Sequence, residues 1–309
     1  MPTSEQRRYV KKLNEIMERF LRLEDRTLRQ MVEALQNLRR GIAADLTEVG
    51  GFEAYHLQQL QDSVERLIAQ FDAQLTGELR TSLGEAYTLG GQGVVEPLET
   101  AGIEGIFHQI NAAQLNAVMD FSADLIQNIS TPMRAKINTQ LRLAVLGQKS
   151  PFKTMEEITR ILGVKATDLR WGLLRRPEVV KGVAARAEAI LRTEMTRVYN
   201  LGHFSQQMST AQRIEGVLKR WMATGDARTR DSHLVAHVRY MKDPIPVDQP
   251  FQVGGAKLMY PGDPAGPPEE TINCRCRSVT IHVEIGVVAT PMDLLVDRER
   301  QQRKQKKAA

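Results

Sequence analysis

The sequence predicts a mainly α-helical chain that closes in a small α+β domain. Three observations carry that reading. Apolar residues recur at helical spacing over most of the chain up to Gln206. Aromatic residues make up only 5%, so the cores are built from Leu, Ile, Val, Ala and Met, a composition that suits helices. The character then changes between Lys219 and Val283, which hold Trp221, the only two cysteines (Cys274 and Cys276), His233, His237, a Pro/Gly-rich loop and an alternating apolar stretch.

A chain of 309 residues has length for two domains or one large one. Its 42% hydrophobic and 26% charged residues exclude an intrinsically disordered chain. The net charge of +5 permits contact with nucleic acid without requiring it. Two cysteines two residues apart exclude a disulfide framework. The start, MPTSEQRRYVKK, lacks the apolar core of a signal peptide, and no apolar run approaches the roughly 20 residues of a membrane helix. The expectation is a soluble protein made in a reducing cytoplasm, with no membrane partner.

Residues 1–83 predict a helical hairpin. From Glu5 to Arg40 there is neither Pro nor Gly, Val10, Leu13, Met17 and Phe20 follow helical spacing, and Leu21, Leu28 and Leu35 recur every seventh residue. Gly41 and Gly50-Gly51 punctuate, and Leu57, Leu60, Val64, Leu67 and Phe71 form the stripe of a second helix. The short connection favours antiparallel packing within one chain. Self-association through these helices is the alternative. Residues 84–105, with six glycines and Pro97, predict a flexible connector. The GGQG within it has no following Lys-Ser/Thr and so is not a phosphate loop.

Residues 106–176 predict shorter helices. Ile106, Ile110, Ala113, Ala117 and Phe121 mark one. Thr131-Pro132 reads as a cap and first helical position ahead of Met133, Ile137, Leu141 and Val145, with Gly147 as the stop. Thr154 with Glu157 reads as a capping box before Ile158, Ile161 and Leu162, with Gly163 as terminator. Two such helices mimic a helix-turn-helix, but Met155-Glu156-Glu157 at the start of the second would repel phosphates.

Residues 177–284 predict the α+β domain. A helix from Pro177 to about Gln206 carries Val183, Ala187, Ile190, Leu191 and Val198, with Glu194 and Asn200 on or beside that apolar face. A carboxylate so placed calls for a partner, and Arg228 and Arg230 are the candidates. Gly216–Thr224 reads as a strand, Gly225-Asp226 as a turn with Asp226 accepting backbone hydrogen bonds, and Ser232–Tyr240 as a helical turn that puts His233 and His237 on one face. Asp243–Glu270 is too rich in Pro and Gly for regular structure. Asn273–Val283 alternates as an antiparallel strand, Val279, Ile281 and Val283 on one face and Cys274, Cys276, Ser278 and Thr280 on the other. Residues 285–309 predict a basic, disordered tail whose Arg298, Arg300, Arg303, Lys304, Lys306 and Lys307 can meet DNA phosphates or simply solubilise the terminus.

The ordered set Arg192-Thr193-Glu194, Asn200, Trp221, Asp226, Arg228, Thr229, Arg230, His233 and Asn273-Cys274-Arg275-Cys276 resembles the bacteriophage head morphogenesis family, the minor head proteins similar to phage Mu protein F. The resemblance covers roughly residues 133–283. Two departures are visible: His233 and His237 stand where many relatives have a Cys-x-x-Cys, and the Leu-Asp-Gly turn that often follows the His is absent. The resemblance implies a low-copy virion protein, inside the capsid or at the portal vertex, with the portal protein and other head proteins as partners. It implies a role in head morphogenesis and in DNA packaging or ejection, and it brings no catalytic residue.

Two chemistries are open. His233, His237, Cys274 and Cys276 offer a two-nitrogen, two-sulfur set suited to structural zinc. The competing reading packs the cysteines as small core residues and bonds His233 to Asp226 or a backbone carbonyl. An enzyme is the alternative function: a metal-dependent nuclease or hydrolase on His233, His237 and Asp226 or Asp231, or an ADP-ribosyltransferase on Arg192 and Glu194. The chain reads His-Leu-Val-Ala-His, not HExxH, and Glu269-Glu270 sits among prolines.

Overall fold

A computed structural model describes residues 2–48, 56–104, 110–146, 149–164 and 182–308. Gly50-Gly51, Ile106, Gly147, Pro177 and the expected boundary at 176/177 lie outside the described residues. The chain is mainly helical with a small antiparallel sheet near its C-terminus. It divides into two compact units, one of Met1–Glu24, Ser82–Val118 and Arg192–Ala309, the other of Asp25–Thr81 and Met119–Leu191.

The second unit is helical. It takes the C-terminal part of α1 (Ser4–Glu48), the N-terminal part of α2 (His56–Thr100), most of α3 (Ala112–Val145) and α4 (Pro151–Leu162). Its core contains Leu28, Leu35, Val64, Phe71, Ile137, Leu141 and Ile158, as the periodicity expected, together with Met31 and Ile68, whereas Leu21, Ile110 and Phe121, also expected on apolar stripes, are exposed. Gly41 does not punctuate α1, which runs on to Glu48. Pro132 does not open a new helix but lies inside α3. Proline removes one backbone donor there, and the hydroxyls of Ser130 and Thr131 both donate to the Gln127 carbonyl at 3.1 Å in the turn before it. The cap of α4 is Ser150, whose Oγ accepts from Lys153 N at 3.3 Å, with Pro151 first in the helix. Thr154, expected as that cap, instead lies buried inside the first turns. Gly163 ends α4 as expected, in the left-handed region at φ 75°.

The first unit carries the α+β architecture. The stretch read as a connector is helical as far as Thr100. Gly90 in this stretch serves a close helix crossing: a Cβ there would meet Tyr199 O at 2.0 Å, and one at Gly202, on the facing helix, would meet Tyr87 O at 2.2 Å. Backbone therefore touches backbone between α2 and α5 (Val183–Ala211).

Strand β1 (Val217–Met222) is central, flanked by β2 (Ile245–Pro246) and β5 (Arg277–His282), all antiparallel. Helix α6 (Asp231–Lys242) follows β1. The region 243–270 is more regular than expected. It holds β2, a hairpin of β3 (Phe251–Val253) and β4 (Ala256–Leu258), and the start of α7 (Pro268–Thr271). The hairpin turns on Gly254-Gly255, both at positive φ (57° and 87°), the geometry a two-residue turn demands.

β5 is buried along its whole length. Val279 and Ile281 join Tyr9, Leu13, Val94 and Leu98 in one core cluster. Ser278 and Thr280 hydrogen-bond instead to Gln207, and Thr280 also to His203, on α5. Val283, expected to share the buried face, lies past the strand and is exposed. The segment expected as a disordered tail is helix α8 (Pro291–Ala308).

Candidate functional site

The residues that define the α+β segment join backbone to backbone. Asn200, fully buried, donates through Nδ2 to Cys276 O at 3.0 Å, and its Oδ1 accepts from Ser278 N at 3.0 Å. One amide thus holds β5 and its approach against α5. Thr193 Oγ1 accepts from Asn273 N at 2.9 Å. Asn273 itself is in the left-handed region at φ 55°, which Asn tolerates better than most residues.

Asp226 anchors the turn after β1. It accepts from Arg228 N and Thr229 Oγ1, both at 3.1 Å, as the Asx-type reading expects. Arg275 grips its carboxylate with two nitrogens, at 2.6 and 2.7 Å. That bidentate contact, with help from Thr229 and Arg228, holds the Asp226 carboxyl well below the usual carboxylate range despite partial burial. Arg230 donates to Ile272 O at 2.6 Å. Neither Arg228 nor Arg230 is the neighbour found for Glu194, which pairs with Arg197 at 2.8 Å; Arg192 pairs with Glu24 at 2.8 Å. The two residues proposed for ADP-ribosyl transfer are thus both engaged in ion pairs.

Beneath this turn, α6, α7 and the approach to β5 bring together His233, Glu270, Cys274 and Cys276, all buried. Trp221 stands edge-on to the His233 ring, centroids 5.3 Å apart. His233 Nε2 lies 2.8 Å from Glu270 Oε2, and Ser232 Oγ donates to the same oxygen at 2.9 Å. The carboxylate only accepts, so Nε2 carries a hydrogen toward it. Nδ1 faces the sulfurs, 3.2 Å from Cys276 and 3.7 Å from Cys274. The partner of His233 is Glu270, neither Asp226 nor a backbone carbonyl. The Cys276 hydrogen bond and the His233 contact hold the Cys274 thiol well below its ordinary value, while burial and the neighbouring Cys274 push Cys276 well above.

His237 is not part of this cluster. Its Nδ1 accepts from Ala223 N at 3.1 Å and its Nε2 faces Asp293 Oδ1 at 3.1 Å, so both ring nitrogens are occupied. Asp293 is the third residue of α8 and completes a buried group with Arg220, whose two terminal nitrogens lie 2.9 and 3.2 Å from its oxygens. Burial alone would raise the Asp293 carboxyl; hydrogen bonds from His237 and Arg220 outweigh it and hold that carboxyl well below its usual range. The backbone N–H of Thr290 also donates to Asp293, and Thr290 Oγ1 does so at 2.8 Å, so Asp293 reaches back to the residue before the helix as in one half of a capping box.

Of the basic residues expected to reach DNA, Arg303 is turned inward. It donates to Thr229 O at 2.7 Å and Ala227 O at 3.3 Å, and pairs with Asp231 and Glu299. Arg298, Lys304 and Lys306 are exposed and Arg300 is half-buried, while the Lys307 side chain lies outside the described residues.

Glu270 and Asp293 were missed as site residues from the sequence. Thr290-Pro291-Met292-Asp293 carries a legible cap signature inside a segment read as disordered. Glu270 had no comparable signal: Pro267-Pro268 argued for a loop, yet Pro268 starts α7, where proline fits.

Helix α5 hydrogen-bonded to β5 of a three-stranded sheet, with α6 contributing His233 to a buried His-Cys-Cys cluster, defines a small α+β module. Residues 153–279 match the model of the family described as Phage Mu protein F like protein. The Mu-like prophage FluMu F protein of Haemophilus influenzae is 30% identical over 134 residues, 42% of this chain. The match spans 27% of the length of that curated relative. No solved structure matches. Among the described residues no helix is long and apolar enough to cross a membrane.

Proposed function

We propose that the chain is a minor protein of the bacteriophage head, a scaffold at the portal region that serves head morphogenesis and the packaging or ejection of DNA. The observation that carries this reading is the use of the signature residues. Asn200, Thr193, Asp226, Arg230 and Arg275 are engaged in joining backbone segments and anchoring a turn. A sequence signature that consists of internal stitches supports a structural role more than a catalytic one. The family match over residues 153–279 supplies the phage context.

In this reading the portal and other head proteins are the partners, and the module sits in the capsid interior or at the portal vertex. Arg298, Arg300, Lys304 and Lys306 on α8 are the groups placed to contact phosphates of packaged DNA. The N-terminal helices supply faces for self-association. Co-expression with the portal protein of the same phage tests the reading: the two should co-elute as one complex on size exclusion. Separate elution, together with turnover of DNA or NAD by the purified chain, would replace it with the enzymatic alternative.

A further inference from the structure

We infer that His233 Nδ1, Cys274 Sγ and Cys276 Sγ are the protein ligands of a zinc ion, with Glu270 fixing the orientation of His233. This site differs from the four-residue set expected from spacing, because His237 is committed to Asp293 and Ala223.

Geometry carries the inference. The three ligand atoms lie within 4.8 Å of one another, and all three residues are buried. A zinc bound at ~2.1 Å by nitrogen and ~2.3 Å by sulfur holds those atoms roughly 3.5 Å apart at tetrahedral angles. Nδ1 sits 3.2 and 3.7 Å from the two sulfurs, bracketing that separation. The ring is also prepared. Glu270 accepts from Nε2 and Nδ1 is the nitrogen turned to the sulfurs, the carboxylate–histidine arrangement that typically backs a metal-bound imidazole. Ser232 donates to the same carboxylate oxygen and fixes Glu270 in turn.

The tight Cys-x-Cys spacing is accommodated by the backbone. Asn273 turns at φ 55°, and Thr193 and Asn200 hold the amide of Asn273 and the carbonyl of Cys276. Both sulfurs are thereby presented on the side of α6. Two thiols and an imidazole are a soft donor set that favours zinc over magnesium or calcium. The ion would tie α6 to the approach of β5, and with Glu270 also to α7. These connections have little regular structure of their own. The fourth tetrahedral position falls to a donor other than the described His, Cys, Asp and Glu side chains, and an enclosed water fits that role.

The test uses the full chain purified without chelator. Elemental analysis should give about one zinc per chain, lost in Cys274→Ser and Cys276→Ser. Glu270→Gln should retain zinc with about tenfold to a hundredfold weaker affinity, and His237→Gln should bind it as the parent does. Because a cysteine variant that fails to fold would also lose metal, the parent protein is exchanged into cobalt. A tetrahedral thiolate spectrum, with sulfur-to-cobalt charge transfer, is the expected result. Protein that folds with no zinc and gives no such spectrum overturns the assignment. So does zinc retained in the double cysteine variant.

Discussion

Arg275 and Asp226 meet in a two-pronged ion pair, with nitrogen–oxygen distances of 2.6 and 2.7 Å, that joins the turn after β1 to the residue between the two cysteines. The pair is partly exposed, so solvent screening reduces its worth. We expect Asp226→Ala to cost about 2 kcal/mol in urea unfolding at neutral pH, since several charge-assisted hydrogen bonds go together. A carboxyl whose folded pKa is depressed stabilises the fold at pH above its unfolded value, about 3.9, and loses that contribution as the pH falls toward the folded value. The gap between parent and variant should therefore narrow below about pH 4. A gap that stays constant down to pH 3 would contradict this account of the pair.

Gly90→Ala sets two effects against each other. Alanine favours a helix interior by about 1 kcal/mol over glycine. Its Cβ, however, would lie 2.0 Å from the Tyr199 carbonyl oxygen, and a backbone atom cannot swing aside. Forced separation of α2 and α5 should win, with a net loss of about 2–3 kcal/mol in chemical denaturation. Gly77→Ala has open space around the new methyl and serves as the control, neutral or slightly stabilising. Equal behaviour of the two variants would refute the close-crossing explanation.

The buried Arg220–Asp293 pair tethers α8 to the central strand. Asp293→Ala leaves a buried guanidinium uncompensated and should cost about 3–5 kcal/mol. It should also free α8, so that trypsin cleaves among Arg298, Arg300 and Arg303 under conditions in which the parent resists. The double variant Arg220→Met/Asp293→Leu should recover most of that stability, because an apolar pair carries no desolvation cost. Failure of the double variant to recover would point to Thr290 and His237, rather than to charge, as the source of the effect.

Lys219 is wholly buried, donates to Met259 O at 2.7 Å and lies over the Phe204 and Phe251 rings. Burial brings its pKa down from the ordinary 10.5 to about 7, against an opposing pull from Asp248 and Asp263. Between those two values the unfolded chain binds the proton that the folded chain has given up. Stability should therefore rise with pH from about 7 to 10.5, and Lys219→Met should flatten that rise. Parallel pH profiles for parent and variant would show that Lys219 does not titrate in this range.

The sequence reported most of the buried periodicity, though Leu21, Ile110 and Phe121 are exposed, and it misjudged punctuation. The stripes through Leu28, Val64, Ile137 and Val198 are core, because burial of an apolar face is what a 3.6-residue repeat encodes. Gly84–Gly93 and Pro132 were read as breaks, yet the same residues serve inside helices. Glycine permits a crossing at Gly90 that only the partner Tyr199 reveals, and proline costs α3 one donor without ending it. At the site, His233, Cys274 and Cys276 were legible as a cluster because α6 and the approach to β5 fix their faces. His237 was drawn in by the same i, i+4 spacing. Its true neighbour, Asp293, lies 56 positions away in a segment that looked disordered. Long-range pairs such as this leave no local trace in a single sequence.

The central claim is that the chain is built into the phage head. Quantitative mass spectrometry of purified, DNase-treated particles tests it most directly. The account predicts peptides of this chain in mature heads at a few copies per particle, comparable with the portal and far below the major capsid protein. Its absence from mature particles and from assembly intermediates of a phage that expresses it would contradict the account.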